Sequence, residues 1–181
     1  LGWDPKAYAA DLIQREGGAD ACVKPFTPDI DIKGPYLGRG NDNEWGARYA
    51  DILQRMMGAD MAAIPSEYDE ACHLELPGGV TAHGHDSADR FWMGLRASFP
   101  DATFAIEHQI GREDASMPPR AAIRWGLYGT HSGWGSFGAP TGAKVYVMGA
   151  SQVEFGPRGV RREYVLFDET SIWKQILMKT G

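Results

Sequence analysis

The side chains able to do chemistry fall in two stretches of the chain. The first is a histidine cluster: His73, His83 and His85 lie within thirteen residues, with Asp86 and Asp89 beside them. The second runs through the C-terminal half and holds Arg124, Tyr128, His131, Ser151, Glu163 and Asp168. Imidazoles and carboxylates together can bind a metal, or they can move protons at a carbonyl. Other chemistries lack their signatures. There is no GxSxG nucleophile turn and no phosphate-binding loop. Gly126, Gly129, Gly133, Gly135 and Gly138 lie in and after a strand instead of opening a helix, so they form no dinucleotide fingerprint. They fit bends in a curved sheet. Cys22 and Cys72 have neither CxxC nor metal spacing and are expected to be reduced thiols.

These groups need elements to hold them. Tyr49, Ile52, Leu53, Met56 and Met57 follow helical spacing and predict an amphipathic helix. Met61 to Ile64 form a short turn limited by Pro65. Tyr68 to Leu76 leads into a Pro77-Gly78-Gly79 loop. A second helix is predicted from about Ser87 to Ser98, capped by Asp86 or Ser87, with Ala88, Phe91, Trp92 and Leu95 on one face. After Pro100 the period changes to two. Phe104, Ile106, His108 and Ile110 alternate with polar neighbours, and Gly111 to Pro119 reads as a polar turn. Strands are predicted over Arg120–His131, Lys144–Phe155 and Val160–Asp168, the last two joined by a Gly156–Gly159 hairpin. A closing helix carries Ile172, Trp173 and Ile176, with Asp168 as its cap. Helices followed by antiparallel strands give an α+β class with a pocket under a curved sheet.

Residues 1–43 read differently. Pro5 to Arg15 predicts a short helix with Ala7, Tyr8, Leu12 and Ile13 as its apolar positions. Gly17-Gly18, Lys24-Pro25-Phe26-Thr27-Pro28, Gly34-Pro35 and Gly38 follow as turn and extended residues. The segment is expected to be an extension of the main domain, residues 44–181, or the remnant of a preceding one. The start at Leu1 is consistent with a trimmed piece of something longer. Among 181 residues, 43% are hydrophobic and 23% charged, the mixture of a globular domain. A net charge of −6 gives no electrostatic reason to bind nucleic acid or an anionic membrane. No apolar run approaches the roughly 20 residues of a membrane span. The cytoplasm is the expected location.

Two resemblances bear on the chemistry. Gly78…His83-Gly84-His85…Asp89 comes close to a cupin metal motif, which needs its donors on neighbouring strands. Here Asp89 falls on a predicted helix and no matching histidine follows on a later hairpin, so no metal is expected. The second covers Trp45 to the C-terminus and rests on Phe99-Pro100-Asp101, Arg124-Trp125, Gly129-Thr130-His131-Ser132-Gly133, Pro140-Thr141-Gly142, Asp168 and Gln175-Ile176. This part resembles the SnoaL-like polyketide cyclases of the nuclear transport factor 2-like superfamily.

That resemblance implies a cone, with N-terminal helices packed on a strongly curved antiparallel sheet and a closing helix. It also implies a small apolar ligand, an aldol-type closure without metal or cofactor, and a homodimer through the open sheet face. The cyclases use a His and an Asp across the final hairpin. Carried along from the PTG segment, these positions fall on Ser151 and Val165, each seven residues from Arg158. Val165 cannot transfer a proton. A pocket Asn of the cyclases falls near His73.

If Ser151 and Val165 face inward, Gly149, Val153, Glu163 and Phe167 do too. His73, His131 and Glu163 are then the candidate catalytic groups of a lyase or isomerase acting on an apolar carbonyl compound. Ser151, Val165, Trp92, Trp125, Arg124, Tyr128 and Phe167 are candidate ligand contacts. Each has an alternative. Glu163 fits a surface carboxylate paired with Arg161 or Arg162, and His131 a structural histidine of its loop. Arg124 could pair with Glu154. Trp92, Trp125, Trp134 and Phe137 could be core or dimer contacts. A domain that binds or assembles without catalysis is the competing function, favoured by the loss of the cyclase pair.

Overall fold

A computed structural model of the chain describes residues 4–15 and 40–181. The expected turns from Gly17 to Gly38, and Cys22, lie outside the described residues, as do the side chains of Leu12 and Ile13. Helix α1 spans Pro5–Arg15. Helix α2, Glu44–Met57, starts where the Asn43 side chain accepts the Trp45 N–H. Its predicted stripe is the buried one, with Tyr49, Ile52, Leu53 and Met56 fully enclosed. A short helix, α3, covers Ala63–Glu67.

The next segment departs from expectation. Tyr68–Leu76 and Val80–His83 are strands, β1 and β2, paired antiparallel across the Pro77-Gly78-Gly79 turn. Both glycines have positive φ, 79° and 74°, which suits residues without a Cβ. Helix α4, His85–Ser98, begins two residues earlier than predicted. Its cap position is Gly84, and neither Asp86 nor Ser87 caps it. Asp86 sits instead in the first turn, where its charge favours the helix N-terminus.

Strands β3 (Thr103–Asp114), β4 (Met117–Thr130), β5 (Lys144–Gly156) and β6 (Gly159–Phe167) follow. The turn between β3 and β4 is shorter than the predicted Gly111–Pro119, because the pairing continues to Asp114 and Met117. The sheet order is β2-β1-β6-β5-β4-β3. All pairs are antiparallel except β1 with β6. Register shifts interrupt the β1/β6, β3/β4 and β5/β6 ladders, the irregularities that let a sheet bend. Helices α2 and α4 supply Tyr49, Ile52, Leu53, Met56, Trp92 and Leu95 to a core shared with inward residues of the strands.

Helix α5, Glu169–Thr180, is capped by Asp168, which accepts the Ser171 N–H at 3.0 Å. It packs against α1 and β5. Strand β6 pairs with β5 only as far as Gly149. Beyond that point the buried Gln175 amide accepts the Tyr146 N–H at 2.8 Å and donates to the Tyr146 carbonyl at 2.9 Å. Removing this amide strands two backbone groups. Gln175→Ala is therefore expected to lower the unfolding free energy by about 1–3 kcal/mol in urea melts. An unchanged midpoint would mean that water replaces the amide without cost.

Candidate functional site

The final hairpin sets the geometry. Ser151 faces Val165 across β5 and β6, the register that equal spacing from Arg158 predicts. Gly149, Ser151, Val153, Glu163 and Val165 are buried and Phe167 is half-buried. The alternate residues Met148, Ala150, Gln152 and Leu166 are exposed on the outer face.

Glu163 lies fully inside the domain, so it is not a surface carboxylate. Arg161 and Arg162 are exposed, and the Arg162 guanidinium turns to Glu154, 3.9 Å away. The carboxylate is instead held by aromatic donors. Tyr49 Oη–H donates to Oε1 at 2.7 Å, and Trp92 Nε1–H donates to Oε2 at 3.2 Å. The Tyr68 hydroxyl is buried nearby and, among the described residues, has no partner at hydrogen-bond geometry. Burial pushes the Glu163 carboxyl up to about 7, against the lowering effect of the hydrogen bonds from Tyr49 and Trp92. The same burial, together with the Glu163 charge, raises both phenols above their ordinary range. The polar chain continues to Ser151: Trp125 Nε1–H donates to its Oγ at 2.8 Å, and its hydroxyl eases the ionisation of Tyr49.

Aromatic rings surround these groups. Trp125 lies at the centre, with ring centroids 6.0 Å from Trp92, 5.5 Å from Phe104 and 6.1 Å from Phe167. Phe91 stacks on Phe167 at 6.0 Å. Trp92 and Trp125 are fully buried, while Phe91, Phe104 and Phe167 form a partly exposed rim. Gly149 makes room for the central ring. A Cβ there would come within 2.1 Å of the Trp125 indole. Surface clefts of about 220 Å³, beside Met61, His85 and Asp89, and about 200 Å³, beside Tyr146 and Gln175, lie apart from Glu163.

The other candidates sit elsewhere. In register, Leu74 lies beside Glu163 on the inner face, which puts its neighbour His73 on the outer face with Arg162. His73 there contacts His83 and Glu75. Arg124 and Tyr128 share the outer face of β4, opposite to the buried Ile123, Trp125 and Leu127. Arg124 pairs with Glu107 at 3.1 Å, not with Glu154. His131 is buried in the β4–β5 loop. Its Nδ1 lies 3.0 Å from Thr141 Oγ1, its N–H donates to the Ala143 carbonyl, and its own carbonyl accepts from Thr141 and Gly142. Burial lowers its pKa. His85 Nε2 meets the Tyr68 carbonyl at 2.8 Å. Among the described residues, no group of three or more His, Cys, Asp or Glu is placed to hold a metal. Tyr49 and Tyr68 were missed in the sequence. A tyrosine on an otherwise apolar core stripe was the available signal, since a buried phenol requires a polar partner.

The family model described as SnoaL-like polyketide cyclase matches residues 47–176 of this chain. The chain belongs to that family. The SnoaL-like domain also resembles solved structures. A SnoaL-like chain from Jannaschia sp. CCS1 aligns with a TM-score of 0.60 at 12% identity, over 76% of this chain and 96% of that one. IdmH from Streptomyces antibioticus aligns at 0.59 and 16% identity, over 74% and 99%. A SnoaL-like polyketide cyclase from Agrobacterium tumefaciens aligns at 0.53 and 20% identity, over 71% and 94%. At these identities the likeness establishes the α+β, nuclear transport factor 2-like fold. No curated protein matches in sequence. None of the described helices is long and apolar enough to cross a membrane.

Proposed function

We propose that this SnoaL-like domain takes a small, largely apolar carbonyl compound into its cone and that Glu163 moves a proton at the carbon α to the carbonyl, as a lyase or isomerase does. The observation that carries this reading is a buried carboxyl titrating near 7, held by Tyr49 and Trp92 beneath an aromatic cage. A base poised near neutral pH is what α-proton abstraction requires. In this reading Ser151, Val165, Trp92, Trp125 and Phe167 are the side chains that part to contact the ligand, and the chemistry asks for no cofactor. His73, Arg124 and Tyr128, on the other side of the sheet, have no part in it. The test is α-proton exchange of small cyclic ketones in deuterated water, followed by NMR, with wild type and Glu163→Gln compared. A wild-type rate no faster than the variant's overturns proton transfer.

A second reading has its own support. The cone interior is filled by the chain's own rings, and Val165 stands where the resemblance assigns an acid. On that reading the domain binds or assembles without catalysis. Under either reading the outer face of β5 is a homodimer contact together with that of β6 toward its Leu166 end, supported by Leu166 and Met148, which are 70% and 60% exposed. Leu166→Asp is expected to convert dimer to monomer in sedimentation velocity. A variant that sediments as the wild type does counts against this face.

A further inference from the structure

The proposed chemistry leaves the histidines of β1 and β2 unused. His73 and His83 are direct partners across the two strands and project from the outer face. His73 Nδ1 lies 3.0 Å from His83 Nε2, and the rings meet edge to face with centroids 4.8 Å apart. The other nitrogen of His73, Nε2, lies 2.7 Å from Glu75 Oε1. Thr81 Oγ1 donates to Glu75 Oε2 at 3.0 Å and steadies the carboxylate.

This arrangement fixes a tautomer. A carboxylate only accepts, so His73 Nε2 carries a proton, and in the neutral ring Nδ1 then presents its lone pair toward His83. Two imidazole nitrogens at this distance stay together only by sharing a proton or a cation. With metal–nitrogen bonds of about 2.1 Å, a 3.0 Å separation subtends about 90° at the metal. That angle suits two neighbouring corners of a square or tetragonal centre, the geometry of Cu²⁺ and Ni²⁺, and is narrow for tetrahedral Zn²⁺. The carboxylate behind His73 matches the outer-shell partner that orients a metal-bound histidine. Arg162, the neighbouring cation on this face, is turned to Glu154.

We propose that His73 and His83 form a two-nitrogen chelate for Cu²⁺ or Ni²⁺ on the outer face of the domain, with Glu75 as its positioning residue. Two protein donors leave the remaining coordination positions to water. The site lies across the sheet from Glu163 and is independent of the reaction proposed there.

Full-length, tag-free protein titrated with Cu²⁺, by calorimetry and electron paramagnetic resonance, tests the proposal. The His73→Ala/His83→Ala double variant sets the baseline for adventitious binding. One Cu²⁺ per chain above that baseline is expected, with coupling to two nitrogens. His73→Ala and His83→Ala should each remove one nitrogen from the spectrum, and Glu75→Gln should weaken binding about ten-fold or more. Both histidines are on the surface, and circular dichroism reports whether each variant folds. His83→Asn serves as a second replacement. A double variant that binds Cu²⁺ as the wild type does overturns the proposal. So does a wild-type spectrum without two-nitrogen coupling.

Discussion

Glu163→Gln is expected to slow carbonyl α-proton exchange by about 100-fold or more, the usual scale of a general base. The same substitution should change how stability depends on pH. In the folded domain the Glu163 carboxyl titrates near 7, against an ordinary value of 4.5. A carboxyl raised on folding holds its proton more tightly in the native state. Its contribution is undiminished below pH 4.5 and is lost as pH rises toward 7, a loss of about 3 kcal/mol. Glutamine has no charge to bury. Wild type should therefore lose stability relative to Glu163→Gln between pH 4.5 and 8, as measured by urea unfolding at several pH values. His131, whose neutral form is favoured by burial, acts in the opposite direction at the acid end, but it is present in both proteins and cancels. Wild-type exchange should rise with pH through about 7 and then level off. Parallel stability curves would sink the electrostatic argument, and undiminished exchange would sink the catalytic one.

Trp125→Ala carries the second large effect. Its ring touches Trp92, Phe104 and Phe167, bonds Ser151 and fills the space above Gly149. Deleting a buried tryptophan costs about 3–5 kcal/mol, through lost transfer energy and the cavity left behind. The gap would be apolar on most sides, and such cavities bind small aromatic compounds. The variant should melt well below wild type and recover part of the difference in saturating indole. A loss under about 1 kcal/mol would mean that the cage collapses onto the gap.

Particular residues explain what the sequence revealed and what it hid. The α2 stripe and the alternation of β4 to β6 are patterns of one element, and a pattern of that kind survives without knowledge of its neighbours. The positions Ser151 and Val165 came from the family resemblance, and their equal spacing from Arg158 agreed with the hairpin register that the structure has. The β1–β2 hairpin escaped because Asp69, Glu70 and Ala71 interrupt its alternation where the pairing with β6 shifts register. Parity already placed Glu163 inward. Its charge argued for the surface because its partners were invisible: Tyr49 and Trp92 lie 114 and 71 residues away. Arg124 and Trp125 were both expected at a ligand, yet adjacent strand residues point to opposite faces. His73 came from aligning positions along the chain, and a strand that carries Leu74 inward turns His73 out.

The Gln175 amide has a consequence for how the chain behaves in a crowd. Where β6 stops, β5 would present free N–H and carbonyl groups, the template on which a stranger's strand can grow. Gln175 occupies that template with a side chain that imitates one residue of backbone. Helix α5 thus works as a local stop: it occupies the stretch of β5 that β6 leaves open and denies another molecule's strand a place to begin there.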